Sequence, residues 1–110
     1  MRYALGLGVA MLLTACAPSA PTAPRTTPIP YTLDSNGVQL VNRAQRIDFG
    51  RTDHSTIPAM TKLVGQPPAA PRDCAQGRQA VDWPDGTTLV FAAGALRGWA
   101  NAHGQAGVSC

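Results

Sequence analysis

QAVDWPDGTTLVFAAGALRGW, residues 79–99, is the stretch that decides the fold. From Gln79 to Trp83 the residues alternate, with Ala80 and Asp82 on one side and Val81 and Trp83 on the other. This is the period-2 pattern of a half-buried strand. Pro84-Asp85-Gly86-Thr87 is a tight-turn sequence, and Thr88 to Ala92 has strong β propensity, with Leu89 and Phe91 on one core face. Ala93-Gly94 turns the chain again into Ala95–Trp99. The whole run predicts an antiparallel β-meander. Arg97 and Trp99, two residues apart, then fall on the same strand face. Both residue types are enriched among binding hot spots, and an arginine there can stack on an aromatic ring. They form the candidate contact patch, against the alternative that Trp83 and Trp99 are simply core. The tail NAHGQAGVSC shows no period and reads as loop tied down by Cys110.

Upstream, Ser55 to Gln66 reads STIPAMTKLVGQ. Ser55 or Thr56 can cap a helix, and Pro58 is tolerated in a first turn because its missing N–H has no intrahelical partner there. Ile57, Met60 and Val64 recur at helical spacing, with Leu63 widening the stripe. Gly65 supplies a left-handed terminal position, and Pro67-Pro68 forbid continuation. One amphipathic helix of about nine residues follows, too short to be stable unless it lies on a sheet. Before it, Asn36-Gly37 signals a turn, Val38-Gln39-Leu40 alternates, and Asn42-Arg43-Ala44 makes a second turn. Ile47 and Phe49 then share a face opposite Arg46 and Asp48. This predicts an N-terminal β-hairpin. The expected fold class is α+β: hairpin, one short helix, then meander, in a small single domain over residues 31–110.

The first residues read MRYALGLGVAMLLTAC. Arg2 supplies a positive n-region and Ala4 to Leu13 an uncharged apolar run. A helix needs about 20 residues to cross the hydrocarbon core, so a run of about ten suits a secretory signal rather than a span. Leu13-Thr14-Ala15-Cys16 resembles the lipobox. The resemblance implies that residues 1–15 are removed as a signal peptide. It also implies that Cys16 becomes the lipidated first residue, carrying a diacylglycerol thioether and an acyl chain of the palmitate kind. Each buried methylene contributes roughly 0.8 kcal/mol and stable attachment takes two or more chains, a condition this residue would meet. Ala17 stands where an aspartate would mark inner-membrane retention, which points to the outer membrane, facing the periplasm. Residues 16–30 then form a spacer of Pro, Ala and Thr, extended at ~3.1 Å per residue.

A domain of about 80 residues builds a marginal core and usually needs a staple. With Cys16 lipidated, Cys74 and Cys110 are left as an even pair in an oxidising compartment. An intramolecular disulfide is the expectation; an intermolecular bridge or a free terminal thiol are the alternatives. The formal charge of +3 loses Arg2 with the signal, and the basic residues are scattered along the chain. No nucleic-acid partner is expected.

The order hairpin, helix ending Leu63-Val64-Gly65-Gln66-Pro67, then Cys74, Trp83, Gly86, Leu89-Val90-Phe91, Gly94-Ala95-Leu96 and Gly98-Trp99 resembles small envelope lipoproteins carrying a BamE-like or β-lactamase-inhibitor-like α/β module. The resemblance covers roughly residues 47–99. It implies protein binding rather than catalysis: one subgroup scaffolds outer-membrane barrel assembly and another plugs β-lactamases.

Catalytic readings find little footing. Asp53-His54-Ser55 holds the residue types of a hydrolase triad, but neighbours in sequence point apart, and a relay is assembled from distant parts of a fold. A helix cap explains the cluster better. His54 and His103 are only two, whereas catalytic zinc takes about three protein ligands. Cys74 has no second cysteine nearby for a redox pair. The chain contains no glutamate, and Asp82 and Asp85 flank a turn as solvated carboxylates would. Gly94-Ala95-Leu96-Arg97-Gly98 does not match a phosphate-binding loop. The expectation is a membrane-anchored lipoprotein of the bacterial cell envelope, a binding or scaffold module without catalysis or cofactor, its partners the membrane and an envelope protein. The alternatives are an inhibitor of a periplasmic enzyme and a minimal envelope hydrolase.

Overall fold

A computed structural model describes residues 26–110. The expected signal peptide, the expected lipidation site Cys16 and most of the expected spacer lie outside the described residues. The described chain is α+β, with one helix and two antiparallel sheets. The first sheet has the order β1 (Tyr31–Asp34), β2 (Gly37–Leu40), β3 (Arg46–Asp48). Helix α1 (Asp53–Val64) follows. The second sheet is a meander in the order β4 (Arg72–Asp73), β5 (Arg78–Asp82), β6 (Thr88–Ala92), β7 (Ala95–Asn101), β8 (Gly104–Gly107).

The first sheet is one strand wider than the expected hairpin, because Tyr31–Asp34 pairs with Gly37–Leu40 across the tight turn at Ser35-Asn36. Gly37 is needed there: it sits at φ +136°, and a Cβ would stand 2.3 Å from the Ile47 carbonyl oxygen. On the outer face of this sheet Arg46 bridges Asp34 and Asp48, each at 2.7 Å. Hydrogen bonding from Arg46 holds the Asp34 carboxyl down to a pKa of about 2.

The helix begins earlier than expected. Thr52, in extended conformation, is the N-cap and its hydroxyl accepts from the Ser55 amide; neither Ser55 nor Thr56 caps it. Thr52 is held in place because it bridges to Ala95 of β7, while nearby the Gly50 amide donates to Leu96 O and the Leu96 amide donates to Arg51 O. Tertiary pairing therefore sets the start, and Pro58 falls in the second turn with an exposed ring. The C-terminus is as expected, with Gly65 at φ +79° and its amide bonded to Thr61 O.

One core joins all three layers. Val38 and Ile47 from the first sheet meet Met60, Leu63 and Val64 of α1 and Val81, Trp83, Leu89, Phe91 and Leu96 of the second sheet. Trp83 satisfies its indole N–H on the Thr61 hydroxyl at 3.2 Å, tying helix to meander. Residues 26–30, read as the end of the spacer, run along the end of the helix: the Thr26 amide bonds Gly65 O, and Ile29 bonds Leu63 O and packs on the core.

The tail is not loop. Gly104–Gly107 pairs along β7 as β8, closed by a turn in which Asn101 Oδ1 accepts from the amides of His103 and Gly104. Backbone bonds alone make this strand, so no side-chain period announces it.

Candidate functional site

Cys74 and Cys110 form a bonded pair with Cα atoms 5.2 Å apart. Their position explains an otherwise odd burial. Ala80 and Val90 are 0% and 1% exposed, yet they lie on the sheet face turned away from the main core. Gly98 is the register partner of Val90, so its missing Cβ points to that same face. A Cβ there would stand 2.0 Å from the Val108 carbonyl oxygen. The last three residues therefore cross this face as a strap. Val108 N bonds Arg97 O, Ser109 O accepts from Arg78, and Cys110 reaches Cys74 beside β4.

Arg97 and Trp99, read as one face, are parted. Opposite Val90 and Phe91 the β7 register jumps from Gly98 to Leu96, leaving Arg97 as the extra residue of a β-bulge. The bulge reverses the alternation. Leu96 and Trp99, three apart, both pair with inward-facing residues of β6, namely Phe91 and Leu89. Trp99 packs on the core and its indole N–H bonds Asp34 O at 2.6 Å. Arg97 is exposed. The shared patch does not exist in this form, and a bulge leaves no mark in side-chain periodicity.

Other residues singled out in the sequence are tied down by neighbours. His54 lies on the first turn of α1 with its side chain 98% exposed, while His103 sits in the β7–β8 turn. Ser55 accepts from Arg51 and bonds Thr52, within the helix cap. Asp82 is not merely solvated: it pairs with Arg72 at 2.7 Å and accepts from Thr88, and these bonds lower its pKa. Among the described residues no three of His, Cys or Asp converge as a metal set would.

The concave feature that sequence reading missed runs along β1. Pairing Pro30 O with Val41 N puts the outward backbone groups of this edge strand on Tyr31 and Leu33, since alternate residues of an antiparallel pair turn away from the partner. Six consecutive residues, 28–33, line a cleft of about 800 Å3, so the strand presents its edge rather than a face. Leu63, Val64 and Trp99 supply apolar lining, and Asn101 to His103 form the opposite side. At one end the Tyr31 hydroxyl donates to Asp85 and contacts Thr87 Oγ1 at 2.7 Å. Burial and this carboxylate push the phenol well above its ordinary range, so it stays a neutral donor. Such a cleft can take an extended chain by adding main-chain bonds to the strand, with alternate side chains entering the apolar lining. The one available signal was the alternation of Tyr31 and Leu33 ahead of the Asn36 turn.

In comparisons with known proteins, no family model matches the chain, and no curated protein or solved structure was found to be similar to it.

Proposed function

We propose that this chain is a lipid-anchored binding module of the bacterial cell envelope, exported by residues 1–15, attached through Cys16 and facing the periplasm from the outer membrane. It acts without catalysis, holding an extended segment of an envelope protein against β1. The observation that carries the binding role is the cleft of about 800 Å3, with apolar lining, along a strand edge unpaired among the described residues. The lipobox residues and the paired Cys74 and Cys110 support an exported location.

The test is site-specific photo-crosslinking in intact cells. A photoreactive residue at Thr32 and another at Ala102, on opposite sides of the cleft, should yield an adduct with the same envelope protein. The probe at Arg97 should not. Equal adducts at all three positions, or none in the cleft, would refute the reading. Substituting Trp99 would be a poor test, because its ring belongs to the core. The anchor is read separately, by the mass of the modified residue at position 16 of the native protein.

A further inference from the structure

The basic residues that look scattered in the sequence are gathered by the fold. Arg43 comes from the β2–β3 turn, Arg51 from the segment before α1, and Lys62 from the last turn of α1. All three are exposed, and all three line one groove of about 430 Å3 between β3 and the helix. Between them the groove is lined by the buried side chains of Ile47 and Leu63 and the half-buried Ile29. No carboxylate lines it. None of the three cations has an ion-pair partner among the described residues, and Arg46 beside them is already neutralised by Asp34 and Asp48. The other described acids are engaged elsewhere: Asp53 accepts from the His54 amide, Asp82 holds Arg72, Asp73 accepts from Gln79, and Asp85 accepts from Tyr31.

The first described residues run beside this groove. Ile29 lies in the groove, and Thr26, the first described residue, is bonded to Gly65 at the end of the helix that carries Lys62. We propose that this groove docks on the anionic phospholipid headgroups of the membrane that holds the anchor. The inference rests on the proposed attachment through Cys16. Three positive charges over an apolar floor match a surface of phosphates above acyl chains. A weak patch is sufficient, because an anchored domain meets the membrane as an intramolecular partner at high effective concentration. An acidic protein segment would have to compete with that surface. Docking would fix the orientation of the domain relative to the membrane.

The test uses the full chain with Cys16→Ser, so that no acyl chain contributes, and compares its cosedimentation with phosphatidylcholine vesicles and with vesicles that also contain phosphatidylglycerol. The apolar run at 4–13 is common to every variant and cancels between them. The parent should prefer the anionic vesicles, and rising salt should remove the preference. Arg43→Gln, Arg51→Gln and Lys62→Gln together should weaken that preference about 100-fold, which corresponds to ~1 kcal/mol for each basic residue near an anionic surface. The control Arg78→Gln with Arg97→Gln should leave it unchanged. Equal urea midpoints establish that the fold is intact; should the triple variant fail to fold, each single substitution serves instead, with about a fivefold loss. No preference for anionic vesicles in the parent, or equal losses in triple variant and control, would overturn the proposal. So would binding of polyglutamate, lost in the triple variant, without vesicle binding; that result would assign the groove to an acidic protein segment. Because Cys16 is absent throughout, a failure here is distinct from a failure of the anchor, which the mass at residue 16 reports.

Discussion

Cutting the strap is the perturbation with the largest calculable effect. Cys74 and Cys110 are 36 residues apart, and closing a loop of that size removes enough denatured-state entropy to contribute about 4 kcal/mol in the chain-entropy model. A domain of this size has a total stability on the order of 5–10 kcal/mol, so Cys74→Ala with Cys110→Ala should remove much of it. The strap also covers Ala80 and Val90, which the main core does not reach. If it lifts, exposing Val90 adds roughly 1.5 kcal/mol. Urea unfolding of the oxidised protein, the reduced protein and the double variant should give one high midpoint and two low, similar ones. Gly98→Ala tests the packing independently of the bond, because its Cβ would collide with the Val108 backbone. It should destabilise the oxidised protein and do little once the bond is cut and the tail is free to move away. A loss below about 1 kcal/mol on breaking the bond, or a Gly98→Ala cost that persists unchanged without it, would refute the strap.

Other substitutions separate roles that lie close together in sequence. Trp99→Ala should cost about 3 kcal/mol of unfolding free energy through lost packing and its bond to Asp34, whereas Arg97→Ala should stay within ~0.5 kcal/mol. Thr61→Val leaves the indole of the buried Trp83 without its acceptor and should cost about 1–2 kcal/mol in the same assay. Ala93 sits at φ +51° in the β6–β7 turn, a strained conformation for alanine; Ala93→Gly should raise the urea midpoint by the equivalent of about 1 kcal/mol. Asp34, held near pKa 2 by Arg46, adds stability that is present above its unfolded value of about 4 and lost as pH falls through the folded one. Urea midpoints between about pH 4 and 2 should therefore fall less steeply in Arg46→Gln than in the parent, and identical slopes would sink that assignment.

The cleft and the basic groove were legible to different degrees. Trp99 was legible as either core or contact residue, but not its separation from Arg97, which the bulge in β7 imposes. Tyr31 and Leu33 carried alternation without any sign that their strand would be an edge. Arg43, Arg51 and Lys62 carried none, since their proximity depends on how β3 and α1 pack.

Local periodicity determined what a residue's own neighbours can encode. The stripe of Ile57, Met60, Leu63 and Val64, the stop at Gly65, the alternation of Val81 with Trp83 and of Leu89 with Phe91, and the turns at Pro84 and Ala93 all stand in the structure where the sequence puts them. Tertiary structure alone decided the start of the helix at Thr52, the bulge at Arg97, the strand Gly104–Gly107 and the strap over Val90. The reason is physical. Apolar burial is written in side chains and leaves a period, whereas ladder hydrogen bonds come from a backbone that is nearly the same at every residue, so which strand edges meet is settled only when distant segments pack.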